Sequence, residues 1–451
     1  MRGNGFSRPS KVEDLDPRPH LGCKRALLLQ GPNGPFFARL AKDLRRTGTI
    51  TTKVNFNVAD SMFYRGSDVI AFRDEMDQWP ARLREIMVDK KIDAVFLFGD
   101  QRPIHVVATK LARELGIKIW VFEEGYLRPD YITCERDGVN GNSRLPRDPE
   151  HYRTRAPLLP EAPPVTPVGD TFWLHTMWTI LASVGKTFGW FRYPRYVHHR
   201  RTDAFYGAFC YTRGAVRKLR YRITEKGVVE RVIASNDGKY FVLPLQVYCD
   251  AQLQHSDFPS MEAMIEKVIS TFAVAAPADA MLVVKHHPHD VPFRDYRRYL
   301  RDLAAQHGLG DRVVYIHDTH LPTLLKHARG VVTMNSTVGP SALYHHTPVK
   351  VLGRATYDIP GMTSQRSLAE FFQDPGTVDG ALFEAYTHWL RVENQVNGSF
   401  YRRVNRETAS GLPASLFDRS ADRAADRTAE VAVEPGEATP LGDLAHDTGP
   451  S

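Results

Sequence analysis

The chain has 451 residues, long enough for two core-bearing domains plus tails, and its 42% hydrophobic and 25% charged content is that of a soluble globular protein. A formal charge of +7 points to anionic partners: a nucleotide, a membrane surface or nucleic acid. The four scattered cysteines (Cys23, Cys134, Cys210, Cys249) form no CxxC pair, which speaks against a zinc site or a disulfide framework and fits a reducing cytoplasm.

Residues 1–22 are polar and proline-rich without an apolar core, so they read as a disordered N-terminus and not as a signal peptide. Lys24 to Gln30 is a short apolar strand that runs through Gly31-Pro-Asn-Gly34 into a helix from Pro35 to Arg46, the opening of a nucleotide-type fold. The backbone around Gly31 and Asn33 either faces an anion or sugar at the helix start or serves turn geometry alone. Strand Thr51 to Phe56, helix Met76 to Asp89, strand Asp93 to Gly99, helix Ile104 to Leu115 and strand Ile117 to Phe122 continue the alternation. The pattern predicts a parallel sheet covered on both faces. Arg102 and His105 stand at a strand end, as acceptor or sugar-carboxylate contacts or as salt-bridged surface residues. The last strand delivers Glu123-Glu124-Gly125 just beyond its carboxyl end, where open α/β sheets bind ligands. This first domain spans 23–168.

Residues 169–235 form a helical segment of another character. Phe172 to Phe191 contains His175 and Lys186 and is too polar for a clean membrane span. Arginines and lysines at 192, 195, 200, 201, 213, 217, 218, 220 and 222 face one acid, Asp203, and are interleaved with tyrosines and phenylalanines. That composition suits the headgroup layer of an anionic bilayer. Single-stranded nucleic acid, or a helical pair packed between the domains with a basic outer face, are the alternatives.

The second domain, 236–402, has strands at Tyr240 to Val247, Met281 to Lys285, Val313 to Ile316, Gly330 to Met334 and Val349 to Leu352. Helices fit Ser260 to Ala275, Phe293 to His307, Leu321 to His327 and Thr337 to His345, giving a second parallel sheet. One or two further helices in Pro375 to Tyr401 are placed to reach back to the first domain. Residues 403–451 read as a disordered tail, because from Asn405 onward large apolar residues are few.

Two motifs in this half face the glutamates in kind. Strand MLVVK delivers Lys285-His286-His287-Pro288, a cation and imidazoles able to hold a phosphate and protonate a leaving oxygen. Strand VVTMN delivers Asn335-Ser336-Thr337-Val338-Gly339 into a helix start, where hydroxyls and unpaired N–H groups favour an anion. Taken singly, HHP is also a zinc or packed-histidine motif, and NSTVG an ordinary N-cap. Together, three strand-end motifs on two Rossmann-like halves are the layout of an interdomain glycosyl-transfer cleft.

The blocks FEEGYLRPDYITCERDGVNGNS, FVLPLQVYCD, KHHPHD, YIHDTHLPTLLKHARGVVTMNSTVG and TPVKVLG, spread from about Lys24 to Tyr401, resemble the capsule polysaccharide biosynthesis and export proteins of Gram-negative bacteria, of the KpsS kind. That resemblance implies a GT-B-like fold and a β-Kdo transferase that starts a Kdo linker on a phosphatidylglycerol lipid. It is similar also to bacterial sialyltransferases with their D/E-D/E-G and His-Pro motifs and CMP-sugar donors. By that likeness Glu123 and Glu124 supply the carboxylate, with Glu124 preferred because it adjoins the turn and neighbouring strand residues face opposite ways. His287, Ser336 and Thr337 hold the phosphate of CMP-Kdo without a metal or cofactor. Arg128 pairs with the sugar carboxylate or braces its loop. A β donor and a β product imply retention, hence a glutamate nucleophile. The expected partners are CMP-Kdo, an anionic phospholipid acceptor, the inner-membrane surface and other capsule proteins, with no nucleic acid. The expected place is cytoplasmic, peripheral on the inner membrane's inner face. The alternatives are another CMP-sugar transferase, a nucleotide-sugar epimerase, or a non-catalytic accessory of capsule export.

Overall fold

The computed structural model describes residues 20–196, 203–248, 251–317 and 319–418. Residues 1–19 and 419–451, on which most of the disorder expectation falls, lie outside the described residues, as do Arg200, Arg201 and Cys249.

The first lobe is built on strands β1 (Arg25–Leu28), β2 (Ile50–Asn55), β3 (Val69–Ala71), β4 (Ala94–Phe98), β5 (Lys118–Glu124) and β6 (Tyr131–Arg136). The second is built on β7 (Tyr240–Pro244), β8 (Met281–Lys285), β9 (Val313–Ile316), β10 (Gly330–Thr333) and β11 (Val349–Val351). A last strand, β12 (Gln395–Asn397), returns to the first lobe, giving a seven-stranded sheet ordered β12-β6-β5-β4-β1-β2-β3 and a five-stranded sheet ordered β11-β10-β7-β8-β9. The runs RALL, AVFLF and MLVVK are almost entirely buried, as strands covered by helices on both faces must be. The second sheet is parallel throughout, and the two lobes form the expected two-lobed, GT-B-like α/β arrangement.

The first sheet departs from an all-parallel one. Strand β5 runs on through both glutamates, the chain turns at Gly125, and β6 returns antiparallel with Glu123 opposite Thr133 and Glu124 opposite Ile132. Only glycine fits that turn, since a Cβ at 125 would collide with the carbonyl of Tyr131. Strand β12 adds to β6, also antiparallel, and the Gln395 side chain accepts from Tyr126 N–H at 2.7 Å and donates to Thr133 Oγ1 at 3.0 Å. Strand β3, β6 and the helix Val58–Phe63 were not foreseen. The helix expected from Phe293 begins at Arg297, because Asp290 C=O accepts from Phe293 and Arg294 N–H and folds the preceding residues into turns.

Residues 403–418 are not a loose tail. Leu412, Leu416 and Phe417 are buried in the first lobe's core beside Leu21, whose N–H donates to Leu416 C=O at 2.8 Å. Buried Asp43 accepts from Ala409 and Ser410 N–H at 2.7 and 2.6 Å. The few apolar residues sit at the start of the polar stretch, and each finds a core position there. For the same reason Leu21, assigned to a disordered terminus, is fully buried.

The lobes meet through a shared apolar cluster in which Tyr126, Leu145 and Tyr152 pack with Tyr386, Trp389 and Leu390. Arg153 of the helix Pro149–Arg155 pairs with Asp379 at 2.6 Å. Deeper in, His255 Nε2 lies 3.8 Å from Asp100 Oδ1, with both residues buried.

Candidate active site

The carboxyl ends of β4 and β5 turn toward the second lobe. Glu123 folds back on its own strand, accepting Glu124 N–H at 3.0 Å and lying against Gly99 at the end of β4. Glu124 reaches the other way: its carboxylate accepts from Tyr401 Oη at 3.2 Å. The period-two alternation thus separates the two glutamates as expected.

A row of rings leads from Glu124 across the cleft. Tyr401 meets His175 edge-on at 4.9 Å between centroids, His175 lies 6.4 Å from His289, and His289 lies 5.5 Å from His287. Burial, then the charge on Glu124, pushes the Tyr401 hydroxyl well above its ordinary range, so it stays a donor. Burial holds His287 down to about 4, with His289, Lys285 and Arg128 adding repulsion. His289 and His175 are lowered chiefly by burial as well, and Glu124 partly offsets this at His175. Arg128, anchored by a bond from Nε to Gly125 C=O at 3.2 Å, acts electrostatically on Tyr401, His287 and His289 alike. Arg128 and the buried Lys285, whose Nζ donates to His286 C=O at 3.3 Å, are thus set against the carboxylates of Glu123 and Glu124, beside neutral imidazoles that an arriving anion would favour protonating.

The loop carrying these histidines is braced from the helical segment. In the helix Ala204–Thr224, Arg213 and Arg217 donate to Pro292 and Val291 carbonyls at 2.7 and 2.9 Å, and Gly214 lets Pro292 approach. These two cations are structural.

The remaining expected residues divide. His286 does not face the cleft: it is buried, shares a hydrogen bond with Tyr315 Oη at 2.7 Å, and burial lowers it to about 3. His105 is likewise no sugar contact. It is fully buried and holds Gly99 C=O through Nδ1 at 2.6 Å, because its helix turns that face onto the sheet. Arg102 stays at the strand edge, donating to Gln30 and Gly31 at 3.0 and 3.4 Å. Gly31 is small because Phe37 packs where a Cβ would stand, and Asn33 is half-buried beside it. Pro288 is exposed.

At the end of β10, Asn335 accepts from Gln246 at 3.0 Å and Ser336 Oγ accepts Val338 N–H at 3.2 Å. Thr337 precedes the helix Val338–Tyr344 without capping it by its side chain. Gly339 is buried because the Tyr357 ring occupies the space of a side chain. Strand β7 stands between β8 and β10, so the Lys285–His287 and Asn335–Thr337 motifs lie about 10 Å apart along one edge.

Tyr401, His175 and His289 are not among the site residues expected from sequence, and Lys218 counts there only as part of the basic segment. His289 stands inside the KHHPHD block, and Lys218 acts electrostatically on it. Tyr401 and His175 carry no local signal, since only the return of β12 and the packing of the helix Phe172–Phe188 bring them in. Among the described residues, no group of three or more His, Cys, Asp or Glu is placed to hold a metal ion, and no helix is long and apolar enough to cross a membrane.

Comparison with known proteins bears on this cleft. A family model described as "Capsule polysaccharide biosynthesis protein" matches residues 93–401, the stretch from β4 to Tyr401. The capsule polysaccharide modification protein LipB of Neisseria meningitidis serogroup A is 43% identical over 390 residues, 85% of this chain and 93% of its own. The capsule polysaccharide export protein KpsS of Escherichia coli is 39% identical over 386 residues, 84% of this chain and 98% of its own. Among solved structures, Thermosulfurimonas dismutans KpsC, a β-Kdo 2,7 transferase, aligns over 81% of this chain and 99% of its own at 15% identity and a TM-score of 0.36. With a family match reaching through both lobes and relatives alike over nearly their whole length, the chain belongs to the capsule polysaccharide biosynthesis protein family.

Proposed function

We propose that the chain is a capsule-initiating glycosyltransferase that moves β-Kdo from CMP-Kdo to a phosphatidylglycerol-type lipid, with retention. The observation that carries this reading is the bridge from Glu124 through Tyr401, His175 and His289 to His287, with Arg128 between. A carboxylate from one lobe and a cationic, imidazole-lined edge from the other converge on one cleft.

The donor phosphate would meet Lys285, His287 and Arg128, and its ribose or base would extend the roughly 10 Å to Asn335, Ser336 and Thr337. Glu124 attacks the anomeric carbon, forming a glycosyl ester while the bond to the cytidylate oxygen breaks and the electron pair leaves with CMP. The cations stabilise that departing charge. In the second step the acceptor hydroxyl attacks the same carbon, Glu124 leaves as carboxylate, and the hydroxyl proton passes to an imidazole. Two inversions give overall retention. Tyr401 holds Glu124 in line without donating its proton fully. The docking of a lipid acceptor fits the basic, aromatic helical segment, and a place on the inner face of the inner membrane follows from such an acceptor.

The test is incubation of the purified chain with CMP-Kdo and a phosphatidylglycerol analogue, with mass and linkage analysis of the product. The reading expects CMP release and one or more β-linked Kdo on the lipid. Turnover of CMP-sialate or a UDP-sugar in preference to CMP-Kdo would replace it.

A further inference from the structure

The helices Phe172–Phe188 and Ala204–Thr224 are joined by a bond from Ala204 N–H to Thr187 Oγ1 at 2.7 Å and by Phe188 against Phe205 at 6.1 Å between rings. On the first helix Trp173, Met177, Ile180, Val184 and Phe188 are exposed, spaced by four, three, four and four residues and so aligned on one face. On the second, Phe205, Phe209, Val216, Leu219 and Ile223 do the same. Both opposite faces are occupied: Gly185 packs on Met62 and Ala59, Trp178 on Phe63, and Gly214 on Pro292. Exposed apolar stripes on two helices that meet at Phe188 and Phe205 mark an interaction site.

Its surroundings identify the occupant. Exposed cations at Arg192, Lys218 and Arg220 border the face, while exposed Arg195 pairs with Glu75 at 3.1 Å. Asp203 is the only acid from 171 to 224, and its carboxylate is engaged by Tyr206 N–H at 2.8 Å. Apolar rings with a basic margin complement an anionic bilayer. A second copy of the chain would instead bring those cations against one another. The first helix, 17 residues and about 25 Å long, is shaped to lie in the interface.

We propose that these two helices form a monotopic hairpin seated in the headgroup and upper acyl layer of an anionic phospholipid bilayer, so that the acceptor headgroup enters the cleft from the membrane plane. This rests on the transferase reading for its second half. The link is His175, on the same helix as the lipid-facing residues, which stands between Tyr401 and His289 in the row of rings. The wall of the cleft and the membrane-facing surface are two sides of one helix.

The test uses the full chain with vesicles of phosphatidylglycerol and phosphatidylcholine, or of phosphatidylcholine alone. The parent should float with the anionic vesicles, and bromine-labelled acyl chains should quench its tryptophan fluorescence, less so in a Trp173→Phe, Trp190→Phe variant that lacks Trp173 and the exposed Trp190 just beyond the first helix. The double variant Ile180→Glu, Leu219→Glu should lose vesicle affinity by about ten-fold or more, while its turnover of CMP-Kdo with a dispersed short-chain phosphatidylglycerol stays near that of the parent. Flotation unchanged in the double variant, absence of quenching, or a parent dimer that the double variant dissociates with vesicle affinity unaltered would overturn the proposal. Failure of the transferase reading looks different: firm vesicle binding with CMP-Kdo left intact by every acceptor.

Discussion

Tyr401 is a positioning residue, touching Glu124 by one hydrogen bond at 3.2 Å. Tyr401→Phe keeps the ring against His175 and removes only the hydroxyl. It should lower kcat about ten-fold and leave KM for the donor nearly unchanged, because the lost contact orients the nucleophile and does not bind the nucleotide. Steady-state kinetics in CMP-Kdo checks this, and equal losses in binding and turnover would contradict it. His287 offers a test without substrate. Burial lowers it to about 4 from an unfolded value near 6.5, so the unfolded chain binds the extra proton between those values. Its contribution to stability is full above pH 6.5 and declines as pH falls toward 4. His287→Asn should therefore flatten the fall in unfolding free energy over that window, by roughly 1–3 kcal/mol at its acid end, as denaturant titrations at each pH would show.

At the scale of elements, the hairpin β5-β6 sets the orientation of Glu124, and Gly125 is its tightest point. Gly125→Ala forces a Cβ into Tyr131 C=O and should destabilise the first lobe by about 2–3 kcal/mol with loss of activity. Thermal unfolding of the variant measures it. The parallel strands of both lobes were legible because RALL, AVFLF, MLVVK and GVVT are short apolar runs between helical patterns. Strands β6 and β12 were not, since YITCER and QVN are brief and mixed, and their pairing depends on a turn and on a partner more than 250 residues distant. The same limit separates neighbouring histidines. Nothing in HHPH tells His286, which packs on Tyr315, from His287 and His289, which face the cleft.

At the scale of the molecule, the chain stays packed on the first lobe as far as Tyr196, which accepts from Gln30 at 3.2 Å, and rejoins its sheet at Gln395, so that the last described residues complete the core in which the chain began. Ending the chain at 404 removes Leu412, Leu416 and Phe417 from the core, at about 1.5–3 kcal/mol for each side chain, and should melt the first lobe at markedly lower temperature. Calorimetry of the truncated chain beside the full one measures the loss. The return also explains why the cleft was only partly readable. The Glu-Glu-Gly and His-His-Pro motifs are contiguous in sequence, whereas Tyr401 and His175 join them only through the crossing of β12 and the docking of the helical hairpin.

The central claim is that the first lobe's carboxylate forms a bond to the sugar while the second lobe grips the departing nucleotide. It is tested most directly by exposing the chain to CMP-Kdo without acceptor, quenching in acid, and mapping the digest by mass spectrometry. The account predicts a Kdo ester on Glu124, absent in Glu124→Gln and still present in Glu123→Gln. Stoichiometric CMP release with the Glu124 peptide unmodified, or an adduct on another residue, would contradict it.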